Sequence, residues 1–300
     1  MRASPTASAV RCPVCGAAET TVFLEQRDQG LARQSIGSSR QDFSPGRILR
    51  CRACRFAFRQ MRASPEQLRE LYRQMDPTLY ESELEGRKRT AQKHLQIVRQ
   101  FTKSGRLLDV GCASGLFLSC ALEAGFEIAG VEPNEKLCEQ ALETLHGRGE
   151  IHCGDLESAK LAGNFRAITL WDVLEHVPDP LDFLRKCHAL LQPNGLLFLN
   201  VPDLDSFEAI ILGRRWPLLL PEHLNYFNRS SLEYCAHEAG FEPVKFGRRR
   251  AWFSTKYVAC RVAQHKIVGA RLAFRLLDGG LGRILVPISL GEIFAVCKPL

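Results

Sequence analysis

From residue 106 onward, apolar runs of strand length alternate with amphipathic stretches of helix length, and this alternation limits the fold more than any other feature. "RLLDV" (106–110), "EIAGVE" (127–132), "EIHC" (150–153), "FRAITLWD" (165–172), "LLFLNVP" (196–202) and "FEPVKF" (241–246) read as strands. Between them, "GLFLSCALEAG" (115–125), "NEKLCEQALETLHG" (134–147), "PLDFLRKCHALLQPNG" (180–195) and "RSSLEYCAHEAG" (229–240) read as helices. Gly125 closes the first of these, Pro193 and Gly195 stop the third, and Ser230 with Glu233 forms a capping box for the last. Strands joined by helices of this length imply βαβ crossovers and a parallel sheet covered on both faces. "GEIFAVCKP" (291–299) is a late strand, reached by a long insertion at 264–290.

In such a sheet, ligands sit beyond the carboxyl ends of the strands. The first strand runs into "DVGCASG", where Gly111 and Gly115 carry no Cβ and Ala113 and Ser114 are small. Backbone can approach a ligand there, and the amides at the next helix start can face it. Asp109 ends this strand and Glu132 ends the next, 23 residues on. A carboxylate at the second strand end accepts from ribose hydroxyls. Asp155, after the third strand, suits an exocyclic amine and equally suits a helix N-cap. Three acids at three successive strand ends fit an adenosine-containing ligand with a cationic head. A dinucleotide fold wants Gly or Ala at the position of Leu116, so the turn argues against a nicotinamide cofactor.

"DVGCASG" resembles the acid-then-glycine turn of the class I S-adenosylmethionine-dependent methyltransferases, with Ala113 in place of the middle glycine. "VEPN" (131–134), "WDVLEHVPDP" (171–180), "LLQPNGLLFLNVP" (190–202) and the closing strand resemble later motifs of the same family, in the same order. The resemblance covers residues 85–300 and is nearest to small-molecule and glycan methyltransferases. It implies an α/β, Rossmann-like seven-stranded methyltransferase sheet with S-adenosylmethionine as cofactor. It also implies cofactor contacts at Asp109, Gly111, Cys112, Ala113, Gly115, Glu132 and Asp155, with Trp171 near the adenine end.

Two CxxC pairs precede this domain: Cys12 and Cys15 in "CPVC", Cys51 and Cys54 in "CRAC". Four thiolates on two knuckles can enclose one Zn2+ tetrahedrally, with Gly16 allowing a sharp turn. Such a closed site has no open position for catalysis, so a structural or substrate-docking role is expected; redox chemistry of the CxxC pairs is the rival reading. The remaining eight of twelve cysteines lie mostly in apolar segments, as small buried hydrophobes of a reducing compartment do. The expected organisation is a zinc-ribbon-like module at 1–60, a helical linker at 61–104 and the catalytic domain at 105–300. In the linker, "SPEQLRELY" opens a helix with Ser64 as N-cap, Pro65 at the first position and Gln67 completing a capping box, and "RKRTAQKHLQIVRQF" (87–101) forms a second.

If the acceptor atom is a hydroxyl oxygen, a base helps remove its proton, while positioning alone suffices for an acidic nucleophile. His176, after the fourth strand, and His223, in "PEHLNYF", are the candidates, since histidine titrates near neutrality. A loop-bracing role for His223 and Tyr226 is the alternative. The preferred acceptor is a small polar, glycan or lipid-linked molecule. The rival is RNA: the formal charge is +7, and Arg214, Arg215, Arg248, Arg249 and Arg250 are clustered, but they are not interleaved with aromatics. A non-catalytic scaffold of the same fold is a third possibility, opposed by the intact set of acids and glycines.

No apolar run reaches the ~18 residues of a spanning helix, and the first residues lack the apolar core of a signal peptide. A cytoplasmic protein is expected, with peripheral contact to the inner face of a membrane left open. Two segments keep that open: the apolar "SFEAIILGRRWPLLLPEH" (206–223), a lid, a membrane-touching loop or buried core, and "KIVGARLAFRLLDGG" (266–280), with Arg271 and Arg275 on one helical face and Ile267, Ala270, Phe274 and Leu277 on another.

Overall fold

Strand periodicity explains the architecture. In β4 (below), Leu107 faces one apolar cluster and Leu108 and Val110 the other, as alternation in a sheet with two covered faces requires. The computed structural model describes residues 10–25, 47–60, 65–73, 83–220, 222–264 and 280–300. Ser64 and the helix proposed over 266–280, including Arg271 and Arg275, lie outside the described residues.

The chain begins with β1 (Thr20–Leu24), β2 (Ile48–Cys51), β3 (Ala57–Arg59), α1 (Pro65–Arg73) and α2 (Leu84–Val98). The alternating part follows: β4 (Gly105–Val110), α3 (Leu116–Glu123), β5 (Phe126–Glu132), α4 (Glu135–Thr144), β6 (Glu150–Cys153), β7 (Phe165–Trp171), α5 (Pro180–Leu190) and β8 (Leu191–Pro202). Then come α6 (Phe207–Leu212), β9 (Asn225–Tyr226), α7 (Arg229–Glu238), β10 (Phe241–Arg248), β11 (Ala251–Ser254), α8 (Thr255–Gln264), β12 (Leu285–Ile288) and β13 (Glu292–Pro299).

Seven strands form the main sheet in the order β10-β13-β8-β7-β4-β5-β6. The pairs β4–β5, β4–β7, β5–β6 and β7–β8 are parallel, and β13 runs antiparallel between β8 and β10. This is the Rossmann-like methyltransferase sheet expected from the sequence. A second sheet, β1-β2-β3-β9, takes its last strand from the part of the chain that builds the main sheet: Ala57 pairs with Tyr226 and Phe58 with Asn225. Phe56 meets the Phe227 ring at 4.9 Å. Cys12, Val14, Cys51, Phe56 and Phe58 share one apolar cluster with Leu108, Ile168 and Leu199 of the main sheet.

Three local expectations change. The helix expected to run to Gly195 ends at Leu190, and residues 191–195 extend β8. The cap of α7 is Asn228, not Ser230: its side chain accepts from the Ser231 amide, and Ser231 Oγ accepts from the Asn228 amide, closing a box without Glu233. Asn228 has the extended backbone an N-cap needs, so the helix starts earlier than the Ser–Glu spacing implied. The scattered cysteines are not all free: Cys138 of α4 and Cys153 of β6 form a disulfide.

Candidate active site

The carboxyl ends of β4, β5 and β7 make a rim. At its centre, Gly111 and Gly115 have φ of +75° and +76°. A Cβ on Gly111 would stand 2.7 Å from Val173 Cγ2, and one on Gly115 would stand 3.2 Å from the Ala141 backbone. The glycines are therefore required by the protein's own packing. Cys112 is buried in the core, where its Sγ packs close to Gly130. Ala113, where the family motif has glycine, is held at φ +48°.

Glu132 binds this turn to the second strand end. Its Oε2 accepts from the Ala113 amide and its Oε1 from the Asn134 amide, both at 2.8 Å. Burial pushes its carboxyl up to about 7, against the pull of those two amides. Asp109 is buried and accepts from Thr169 Oγ1 at 2.6 Å. Burial, with the neighbouring Glu132 adding to it, raises Asp109 to about 8. Asp155 takes the Ser158 amide at 2.9 Å, capping a turn. Trp171 stacks on His94 with centroids 3.9 Å apart and meets Phe117 edge-on. Two buried polar atoms of this rim, Ser114 Oγ and Trp171 Nε1, have no hydrogen-bond partner among the described residues. Unpaired buried donors beside two ionisable acids are what a polar, cationic nucleoside would satisfy, so the rim fits S-adenosylmethionine.

A second group lies beside it. Ligand-capable atoms of Glu175, His176 and His223 all fall within 4.8 Å of one another. The Glu222 carbonyl, which can only accept, lies 3.2 Å from His176 Nδ1. Nδ1 of His176 is thus the ring nitrogen held by the protein. The Tyr72 hydroxyl also sits against Nδ1, and it donates to the same carbonyl. His223 bonds the Leu218 carbonyl through its ring, while its buried Nδ1 has no partner among the described residues. Burial lowers His176 to about 4 and, with His176 beside it, holds His223 well below its ordinary value. Both rings are neutral at pH 7. Burial holds Glu175 well above the carboxylate range, and Asp172 adds to this.

Long-range contacts hold this group in place. Asn225 Nδ2 donates to the carbonyls of Leu174 and Val177, at 3.0 and 2.7 Å. Arg59, from β3, sends its buried guanidinium to the carbonyls of His223 (3.1 Å) and Leu220 (2.9 Å) and to the Tyr226 hydroxyl (3.0 Å). Asn134 Nδ2 donates to the carbonyls of Tyr72 and Arg73 and so ties the end of α1 over the rim.

A third group joins Asp172, Asn200, Arg249 and Glu292. Arg249 Nη1 donates to Asp172 (2.7 Å) and to Glu292, and its Nε donates to His94 Nε2 (2.9 Å). Asn200 Nδ2 bridges the same two carboxylates at 2.6 and 3.0 Å. Enclosure raises Asp172, but Arg249, Glu292 and Asn200 outweigh it and hold Asp172 below the carboxylate range. Burial raises Glu292 to about 8 despite Arg249. Arg249, grouped in the sequence with four other arginines under the RNA reading, is instead inside and spent on these acids.

The four cysteines of the CxxC pairs converge. Sγ of Cys12 and Cys54 are 3.6 Å apart, those of Cys15 and Cys51 are 3.5 Å apart, and all four lie within 4.8 Å. A tetrahedron with metal–sulfur bonds near 2.3 Å has edges of about 3.8 Å, so the set fits Zn2+.

A family model described as methyltransferase domain matches residues 80–245, more than half of the chain. The chain belongs to this methyltransferase family. A ubiquinone biosynthesis O-methyltransferase of Bordetella avium is 33 % identical over 152 residues, which is 46 % of this chain and 62 % of the relative. The protein of the same description from Haemophilus ducreyi is 33 % identical over 137 residues, 41 % and 58 % of the two chains. The match thus spans about three fifths of these curated relatives. An S-adenosylmethionine-dependent methyltransferase of Leishmania major has a TM-score of 0.52 at 15 % identity, covering 78 % of this chain and 85 % of that one. Mitomycin 7-O-methyltransferase has 0.50 at 16 %, covering 79 % and 61 %. Both show the shared fold.

The sequence pointed to Glu132, His176 and His223. It missed Arg59, Tyr72, Asp172, Asn200, Arg249 and Glu292. Asn200 and Glu292 did carry a signal, being polar residues inside otherwise apolar strands.

Proposed function

We propose that this methyltransferase transfers a methyl group from S-adenosylmethionine to a hydroxyl of a small, lipid-linked or aromatic acceptor. The observation that carries this is the bare, buried Nδ1 of His223 beside His176 and Glu175, next to the rim that fits the nucleoside. When bound, the sulfonium supplies an electrophilic methyl group. Ser114, Trp171 and Glu132 would hold the nucleoside, and the acids nearby favour its positive charge. His223 takes the acceptor's hydroxyl proton at Nδ1. Asp172, at φ +58°, has its amide held by Asn200 and its carboxylate by Arg249. The O-methyltransferase descriptions of the relatives support oxygen as the acceptor atom.

The four sulfurs hold Zn2+ as a structural ion in the same proposal. The metal fixes the knuckles that present β3, and β3 presents Arg59 to the His223 loop.

Calorimetry with S-adenosylmethionine tests the first step, and label transfer to an ortho-diphenol bearing an apolar tail tests the second. The wild type should bind, Glu132→Ala should lose at least about tenfold in affinity, and His223→Ala should bind without transferring label. A wild type that does not bind the nucleoside overturns the proposal.

A further inference from the structure

The connection between β8 and β9 carries the most exposed apolar surface described. In α6, Phe207, Ile210 and Ile211 are 67 %, 68 % and 66 % exposed, and Leu212 follows at 43 %. Ala209 is the one residue of this helix in a core cluster, with Leu204, Trp216 and Tyr226. Both ends are fixed. Ser206 Oγ accepts from the Ala209 amide, and the buried Trp216 donates from Nε1 to the Leu290 carbonyl at 2.7 Å. The apolar side chains therefore stand out from a firmly anchored base.

The charges around them are one-sided. Asp205 is taken by Arg50, Arg55 and Asn228. Glu208 accepts from Ser289, which lowers its pKa and keeps it ionised, with Arg248 as its nearby counter-charge. Arg214 and Arg215 follow directly and are exposed. Arg214 gives one N–H to the Glu25 carbonyl and keeps its charge. An apolar knob followed by free cations matches the boundary between acyl chains and anionic headgroups. The connection also leaves from β8, which carries Asn200, and returns through His223.

We infer that Phe207–Arg215 docks this chain on an anionic bilayer surface, with the acceptor side of the site turned toward the lipid. The second half of that statement rests on the proposed methylation of a lipid-linked acceptor, whereas the docking does not.

The full chain is sedimented with vesicles of phosphatidylcholine, with and without phosphatidylglycerol, while nucleoside affinity is measured in parallel by calorimetry. The wild type should follow the anionic vesicles and be released by salt. Ile210→Glu with Ile211→Glu should cut the partition at least about tenfold. Arg214→Gln and Arg215→Gln should each cut it about fivefold. All four side chains are outside the catalytic groups, so melting temperature and nucleoside affinity should stay at wild-type values. A wild type that ignores anionic vesicles overturns the inference, and so does binding that survives the double glutamate change. A dimer in solution that the double glutamate variant splits, with no vesicle binding, also overturns it and gives the surface to a second copy. Loss of nucleoside binding with vesicle binding intact would instead count against the proposed function alone.

Discussion

The cofactor rim and the acceptor side touch, yet they are assembled differently. The rim is built from sequence neighbours: Gly111 to Gly115 make the turn, and Glu132 with Asn134 closes it from the next strand end. The acceptor side is drawn from separate segments: Arg59 from β3, Tyr72 from α1, Glu175 and His176 after β7, and His223 before β9. A locally built site survives the loss of a distant prop, and a site built from distant segments does not. Damage at the N-terminal sheet should therefore reach proton removal and leave nucleoside binding intact.

The largest expected effect separates the two regions directly. His223→Ala should slow methyl transfer by about 10²–10⁴-fold, the usual worth of a positioned base, with nucleoside affinity unchanged. Steady-state rates beside calorimetry read both. Equal losses in both would place His223 in the rim and erase the distinction.

Arg59→Met is next. It strips the Leu220 and His223 carbonyls and the Tyr226 hydroxyl of a buried charged donor, at a cost of about 3 kcal/mol. Urea unfolding measures that cost. Hydrogen exchange should show residues 222–226 opening faster while 107–115 keep their protection. Chelation of the proposed zinc should give the same pattern, since β2 and β3 flank the second cysteine knuckle. Uniform loosening of both regions would mean that the rim also leans on the N-terminal sheet.

A smaller effect marks the rim. Asp109 is raised to about 8 and Glu132 to about 7, mainly by burial. Both folded values exceed the unfolded ones, so the free chain binds these protons more tightly than the unfolded chain. Their contribution to stability is complete below about pH 4, where both states are protonated, and is lost as pH rises to 8. Relative to Glu132→Gln, the wild-type melting temperature without ligand should fall over that window, because the lowered His94, His176 and His223 pull the opposite way equally in both chains. A cationic nucleoside favours the ionised acids, so its binding near pH 7 should release protons. Calorimetry in buffers of different ionisation enthalpy detects the release, which should shrink in Glu132→Gln. His176 and His223, lowered and already neutral, should contribute nothing to it.

The same contrast explains what was legible in the sequence. The main sheet and rim could be read because periodicity, the glycine turn and the strand-end acids are local patterns. The cysteine knuckles were legible from spacing. The Arg59–His223 contact joins residues 164 apart and the Arg249–Asp172 pair joins residues 77 apart. No pattern in either segment names its partner. Arg249 misled because one-dimensional clustering with Arg248 and Arg250 cannot show that β10 ends by turning the middle side chain inward. Cys138 and Cys153 look like ordinary buried residues until α4 and β6 bring them together.

The smallest effect concerns one methyl group. Ala113 stands at φ +48°, in the left-handed region that costs an L-residue roughly 1–2 kcal/mol. It stays there because Glu132 holds its amide and Gly111 and Gly115 leave the turn no slack. Ala113→Gly removes the strain but adds freedom to the unfolded chain, worth about 0.4–1 kcal/mol. The balance predicts a gain of about 0.5–1 kcal/mol, seen as a rise of about 2 °C in melting temperature. Nucleoside affinity should stay within about twofold, because the amide that Glu132 grips is backbone and survives the change. Ala113→Val, with a branched Cβ at positive φ, should move stability the other way. If glycine destabilises the chain, the alanine methyl is packing against something in the rim that outweighs the strain, and the turn is held by side chains as well as by its backbone.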